Sequence, residues 1–577
     1  MGFENSWVTY LQRSYKGIKA SLLARMETVL PEITDRSESN IFVIILSSFA
    51  GLVEQLNYYI DNMAREMYLP TARRYSSLVK ITRLIDYRVK AKVSSTVDLL
   101  VTAVDSGGNP INLIDDRSIL AGSIIKTTDN IEFITLRDRA IFLGNSSVYI
   151  PAKQRKLYSN QNIGTTTSSA NQAFKLDPDY TDGSLQVTIN NMSWELKETL
   201  AFSGPRDRHF IVEVTEAKEA WLVFGDSIHG MIPLAGYSIL ATFHKCLGGL
   251  GNVIEDTITT WVIGKPSGGG ATDYTVTNPY KAAGGLDVED LERIRRHAPL
   301  SIRTLNRAVT LQDHIDIALL TPGVGKVAVS FDSALKVITI YAAPDGGGTA
   351  SSALLNDIVD FFSTRKMIST VVIAKPCGET NLRISLTATA KFRRSAEDTR
   401  DDITNALLTN FGFNYSDVNK GIRKSDIIAL VDNLDKVDFL SLDILTTKPY
   451  PRRAAGINEI DPIWYVEVTP FNTVKTLWRI YIVDPIGRVA RVYRSTTPGG
   501  DYLFDGLYNY SATDPIIPDY TSVDGSLKFG FYGSGYSEGD IWEFTTYPYN
   551  QDLVFDDFTV PVASLSELSI TVNEQII

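Results

Sequence analysis

Apolar residues recur at helical spacing through the first ninety positions. Val8, Leu11, Tyr15, Ile18, Leu22, Met26 and Val29 fall three or four apart, the stripe of an amphipathic helix with a near-heptad seam. Pro31 ends that stripe. A second one begins after Ser37 or Ser39, runs through Ile41, Ile45, Leu52, Leu56, Tyr59 and Met63, and stops at Pro70. A third helix is predicted from about Thr71 to Tyr87, with Leu78, Ile81 and Ile85 inward. Two long seam-bearing helices fit a bundle, closed within the chain or completed by another chain. The second version makes Leu11, Tyr15, Ile18, Leu22, Leu52, Leu56 and Tyr59 the candidate partner interface.

After Arg88 the apolar period changes to two, as in VSSTVDLLVTAV, and GGNP marks a turn. Short strands are expected to about Phe243, interrupted by polar stretches such as SNQNIGTTTSSANQ, with the glycine cluster Gly248–Asn252 at the exit. From Gly284 the pattern is mixed. A charged helix over Leu286–His297 is expected to stop at Pro299, and Thr310 with Asp313 marks a helix start. Strands and helices then alternate to about Leu445. That order fits compact α+β layers, for which a ferredoxin-like arrangement is one solution. Beyond Ala455, aromatic stretches such as TLWRIYIVD and DIWEFTTYPY lie between Gly, Pro and Asp turns, the signature of an all-β sandwich or small barrel.

The expected fold class is therefore multidomain α+β. Its parts are a helical N-terminal segment (1–92), a β-rich domain with an insertion (93–283), an α+β domain (284–454) and a C-terminal β domain (455–577). The 577 residues leave room for three to five domains at roughly 100–200 residues each.

Composition changes this picture in three places. Two cysteines, Cys246 and Cys377, exclude a disulfide framework. The uncharged run Ile41–Val53 is thirteen residues long, short of the roughly 20 a bilayer span needs, so a buried helix of a soluble chain is expected rather than a membrane span. The charge is one-sided: the last 123 residues hold 6 basic and 17 acidic side chains, and the rest of the chain is balanced. An acidic C-terminal domain repels nucleic acid and favours a basic protein face.

Motifs for chemistry are missing. His244 and Cys246 are the one close pair among the histidines and cysteines, and no second pair completes a zinc set. No phosphate loop ending in Gly-Lys-Ser/Thr occurs. Asp177, Asp179 and Asp182 in DPDYTDG lack the spacing of a calcium loop and read as a polar turn. His297 reads as a solvent-facing or capping residue. No catalytic residue, metal or cofactor is expected.

Three ordered stretches resemble the baseplate wedge, or baseplate J-like, proteins of contractile phage tails. They are Leu52–Val101, with its LPTA turn between helices; Val223–Val253, with FGD and a following GGLGN; and Gly284–Val329, with GGLDVEDLERIRRHAP, RTLNRAVT and PGV. The resemblance covers roughly residues 40–450, apart from an apparent insertion around 158–190, and does not extend past Ala455. It implies a structural wedge subunit in a virion tail baseplate, assembled in the bacterial cytoplasm. Its partners would be further copies of itself, other wedge proteins, and hub and sheath-proximal proteins. The subunit would link wedges into a ring and couple to sheath contraction and host cell injection. Two alternatives stay open: a glycan-binding or glycan-active tail protein working through the C-terminal β domain, and a subunit of a cellular phage-tail-like injection machine.

Overall fold

The computed structural model describes residues 14–577 except 86, 414–415, 449–451, 456–462, 469–474, 485–487, 497–501, 510–519, 525, 533–539, 547–552, 554–558 and 574–577. The chain divides into two compact units. One gathers 1–91, 158–243 and 288–303; the other holds 92–157, 244–287 and 304–577.

The first unit contains helices α1 (Tyr15–Val29), α2 (Ile41–Glu66), α3 (Tyr75–Leu84) and α4 (Leu291–Thr304). Asn40, one residue past the expected caps, starts α2: its side-chain oxygen accepts from Phe42 N at 2.9 Å, filling a donor the helix cannot satisfy itself. A seven-stranded sheet completes the unit, in the order 156–165, 238–245, 186–189, 192–196, 209–214, 220–224, 173–175. Phe210, Leu222, Phe224 and Ile239 are fully buried in it. The inserted module thus runs over 158–243, longer than the polar stretch that announced it.

Two expectations about α4 need correction. It runs through Pro299 instead of stopping there. Proline removes one backbone donor, and the helix is anchored by Ile294 and Ala298, fully buried in the turns just before it. The acidic residues Asp287, Glu289 and Asp290 precede the helix rather than forming its first turn, which carries Glu292.

In the second unit, a six-stranded antiparallel sheet runs 258–263, 124–127, 132–135, 147–154, 96–104, 273–277. Its two edge strands approach each other, Trp261 Nε1 donating to Tyr274 O at 3.1 Å, so the sheet is a nearly closed barrel. Leu99, Ile125, Phe133 and Ile150 fill it. Two of the glycine-rich motifs meet beside it. Asn252 exchanges hydrogen bonds with the backbone of Gly285, each 2.9 Å. A Cβ on Gly285 would lie 2.5 Å from Gly248 O, an approach only glycine permits.

Two small α/β layers follow. The first is a sheet of Val324–Asp332, Val337–Pro344 and Val371–Pro376 with α5 (Leu311–Leu320) and α6 (Ser352–Ser363). Thr310 and Asp313 form the expected capping box on α5. Asp98 of the barrel accepts from Ser352 N at 2.8 Å and Ser352 Oγ at 2.5 Å, and burial pushes its carboxyl above the ordinary range despite those bonds. The second layer centres on strand Gly378–Ala390, covered by α7 (Ala396–Phe411) and α8 (Lys424–Asp432). Strand Val437–Lys448 pairs with it antiparallel on one side, and Thr559–Asn573 pairs parallel on the other.

That last strand changes the reading of the C-terminal region. A β-sandwich of a five-stranded and a three-stranded sheet lies between residues 452 and 546, around fully buried Trp478, Trp542 and Phe529. The chain then returns: Leu553 and Ala563 are buried in the preceding α/β layer. The boundary expected at 455 therefore does not separate two self-contained domains; the sandwich is inserted into that layer. Local pattern does not reveal this, because the strand's partner lies far back in the chain.

A chain ending before Ala455 loses both Leu553 and the parallel strand. Hydrogen exchange of 378–390 is expected to rise toward the unfolded rate in it, whereas retained protection would make the returning strand an accessory. In the full chain, Leu553→Ala is expected to cost about 2–5 kcal/mol by denaturant titration.

Candidate partner interface

Helices α1 and α2 pack on each other. Their buried residues are Ile18 and Met26 on α1, and Val43 and Ala50 along one side of α2. The backbone N–H of Tyr15 donates to Glu54 Oε1 at 2.9 Å, placing the start of α1 beside the middle of α2. Past α1, Asp61 and Arg65 are also buried on α2. Glu66 closes the corner that follows, accepting from Arg73 N at 3.0 Å and Arg74 N at 3.2 Å.

Away from α1, α2 presents an outward-facing apolar stripe. Phe42, Ile45, Phe49, Leu52, Leu56, Tyr59 and Met63 repeat at alternating spacings of three and four, and each is 47–68% exposed. Those are the a and d positions of three consecutive heptads. Val53, Ile60 and Met67 lie beside the stripe and are exposed as well. The positions on the other flank are Ser48, Gln55 and Asn62, which carry no charge to oppose an apolar neighbour.

The sequence reading of Ile41–Val53 as a buried helix is corrected here. Only Val43 and Ala50 of that run are buried. Apolar composition sets how much surface a helix seeks to hide, and this chain hides one side of it. By length and composition alone α2 is also long enough to cross a bilayer.

The seven expected interface residues fall into two groups. Ile18 is buried on α1, and Tyr15 and Leu22 are half-buried there, the side of α1 that serves α2. Leu52, Leu56 and Tyr59 lie on the open stripe. Leu11 lies outside the described residues. Phe42 and Phe49 share that open stripe, and their seven-residue spacing back from Leu56 was the available signal.

Other candidates for chemistry are accounted for locally. Asp182 of the DPDYTDG turn forms an ion pair with Arg88, so it is a structural partner as well as a turn residue. His244 is half-buried, and burial with the charges of Arg155 and Lys153 pulls its imidazole down to about 4. Cys246 and Cys377 are buried thiols. Among the described residues, no three His, Cys, Asp or Glu side chains gather as a metal site. A cleft of about 440 Å³ is lined by Val79, Arg83, Tyr87, Glu213 and His229 among others. Arg83 already pairs with Glu213 at 2.9 Å, and His229 Nδ1 lies 3.6 Å from Asp226.

Residues 14–84, the segment that carries this stripe, match the family described as bacteriophage baseplate protein, N-terminal domain. No curated protein sequence matches the chain. Among solved structures, the chain is similar to one from the anti-feeding prophage baseplate, seen by cryo-EM and 6-fold symmetrised. Identity is 12%, coverage is 76% of this chain and 95% of that one, and the TM-score is 0.28, a likeness too slight to establish a shared fold. The N-terminal match supports a baseplate protein with a structural role.

Proposed function

We propose that the chain is a non-enzymatic wedge subunit of a contractile-tail baseplate. In this reading α2 lays its open stripe against an apolar helix of a neighbouring baseplate chain, linking wedges into a ring that couples to sheath contraction. One observation carries the proposal: the family match over 14–84 coincides with the part of the chain whose large apolar residues are left outside. A heptad stripe accepts another helix more readily than a flat surface, because its knobs fit the holes of a partner with the same period. Burying three or four such side chains is worth roughly 5–10 kcal/mol, enough to offset part of the cost of association. Copies of the chain itself, other wedge proteins, and hub and sheath-proximal proteins are the partners this role requires. Assembly would take place in the bacterial cytoplasm, and a cellular injection machine related to phage tails would use the same interface.

The length of α2 favours a second reading, a bilayer span. Charge weighs against it. Glu54, Asp61, Arg65 and Glu66 lie along the helix, and α1, packed on it, carries Lys16, Lys19 and Arg25. Taking that pair into hydrocarbon would strip water from all of them, at several kcal/mol for each ion left unpaired.

Leu52→Asp with Leu56→Asp separates the readings. The thermal stability of the isolated chain is expected to change by about 0.5 kcal/mol or less, as for surface positions. Co-purification with the other baseplate proteins of its particle should fall at least tenfold, since each buried carboxylate costs on the order of 2 kcal/mol or more. Unchanged co-assembly by a folded double variant would remove the interface. Flotation of the unsubstituted chain with liposomes, abolished by the same pair, would favour the membrane reading.

The absence of turnover is a separate expectation. Incubation with bacterial surface polysaccharide is expected to release no reducing sugar above background. Release that a single Asp or Glu substitution abolishes would instead make the chain a glycan-active protein.

A further inference from the structure

The Glu289 carboxylate, buried just ahead of α4, is reached by three groups from two stretches, the 87–90 segment and α4 itself. Tyr87 Oη donates to Oε1 at 2.7 Å. His297 Nδ1 lies 3.1 Å from the same oxygen; since an ionised carboxylate only accepts, Nδ1 carries the proton. Lys90 N donates to Oε2 at 3.2 Å, and Glu289 N donates back to Lys90 O at 3.2 Å. Tyr87, Glu289 and His297 are all buried. One turn on, the Arg295 guanidinium donates to Ala72 O in the corner between α2 and α3. The α4 stretch therefore grips both the corner that ends α2 and the segment that leaves α3.

Charge crowds this junction. The α4 stretch supplies Glu289, Asp290 and Arg293; the 87–90 segment supplies Arg88 and Lys90; the 180–182 turn supplies Asp182, and Glu198 acts on Arg88. Tyr75 of α3, Tyr87 and Tyr180 face it uncharged. At His297 itself Lys90 and Arg293 oppose Glu289, so a proton on the buried imidazole adds a third cation beside one carboxylate.

We propose that Glu289 is the hub of a buried catch by which the α4 stretch fixes the α2–α3 corner and the 87–90 segment, and that protonation of His297 opens it. The surroundings set the direction. Burial, with the charges of Lys90 and Arg293, holds the imidazole below its ordinary value, against the pull of Glu289. Burial alone would raise Glu289, but His297, Lys90 and Tyr87 together hold it below the usual carboxylate range. Burial draws Lys90 down to about 8. A histidine depressed in the folded state contributes stability above its unfolded value of about 6.5, lost as pH falls below that. Glu289, held below the usual carboxylate range, keeps its charge while His297 takes up its proton.

Hydrogen exchange of the full chain over residues 66–90, corrected for intrinsic rates, tests the catch at about pH 7.5 and about pH 5. The native chain is expected to lose protection about tenfold at the lower pH. His297→Gln keeps a donor for Glu289 and does not titrate, so it should hold its protection at both. Glu289→Gln should be loose at both. A native chain that loses nothing, or a His297→Gln variant that loosens as much as the native chain, overturns the proposal. If His297→Gln does not fold, Tyr87→Phe removes one bond and leaves every charge in place. It should move the opening toward neutral pH, and an unmoved midpoint counts against the catch.

Discussion

Apolar surface that a chain cannot hide by itself dominates this structure. Helix α2 offers more of it than one companion helix can cover, and α1 takes only the side marked by Val43 and Ala50. What remains is ordered rather than scattered. It keeps a heptad period for three turns of the repeat and is flanked by uncharged residues on both sides. A stripe of that kind is costly in water and specific in what relieves it.

Holding such a helix usefully requires a firm base. The corner after α2 is tied three ways: through Glu66 to the backbone of Arg73 and Arg74, through Arg295 to Ala72 O, and through the Glu289 junction to the segment behind α3. Each tie has a charged partner, and such bonds are shorter and stronger than neutral ones. The base is also polar inside, which makes it sensitive to protonation as an apolar base would not be.

Much of this was legible in the sequence where the cause is local. The helical stripes, the proline stops at 31 and 70, the capping box at Thr310 and the change to period two after Arg88 all depend on neighbours within a few residues. Three features depended on distant partners and were misread. Ile41–Val53 was taken for a core helix because apolar composition does not say which chain provides the cover. Glu289 and its acidic neighbours were placed inside the expected helix Leu286–His297, but they precede α4, and Glu289 answers to Tyr87 and Lys90, some 200 positions back. His297 was read as solvent-facing or capping at the end of a charged helix, and it is instead buried in the junction those charges form. Of the expected interface residues, Leu52, Leu56 and Tyr59 face out, while the described α1 members Tyr15, Ile18 and Leu22 lie on the side used by α2.

The returning strand 559–573 bears on how the molecule reaches its native state. Its partner, 378–390, is made roughly 170 residues earlier, and loops of that length close slowly relative to local structure. Until the strand arrives, 378–390 has an unpaired edge, with backbone donors and acceptors open to any other extended segment. The inserted sandwich has its own apolar centre and can form first. It then shortens the effective distance the late strand has to search, so a domain that interrupts another can also serve as the splint that lets it close.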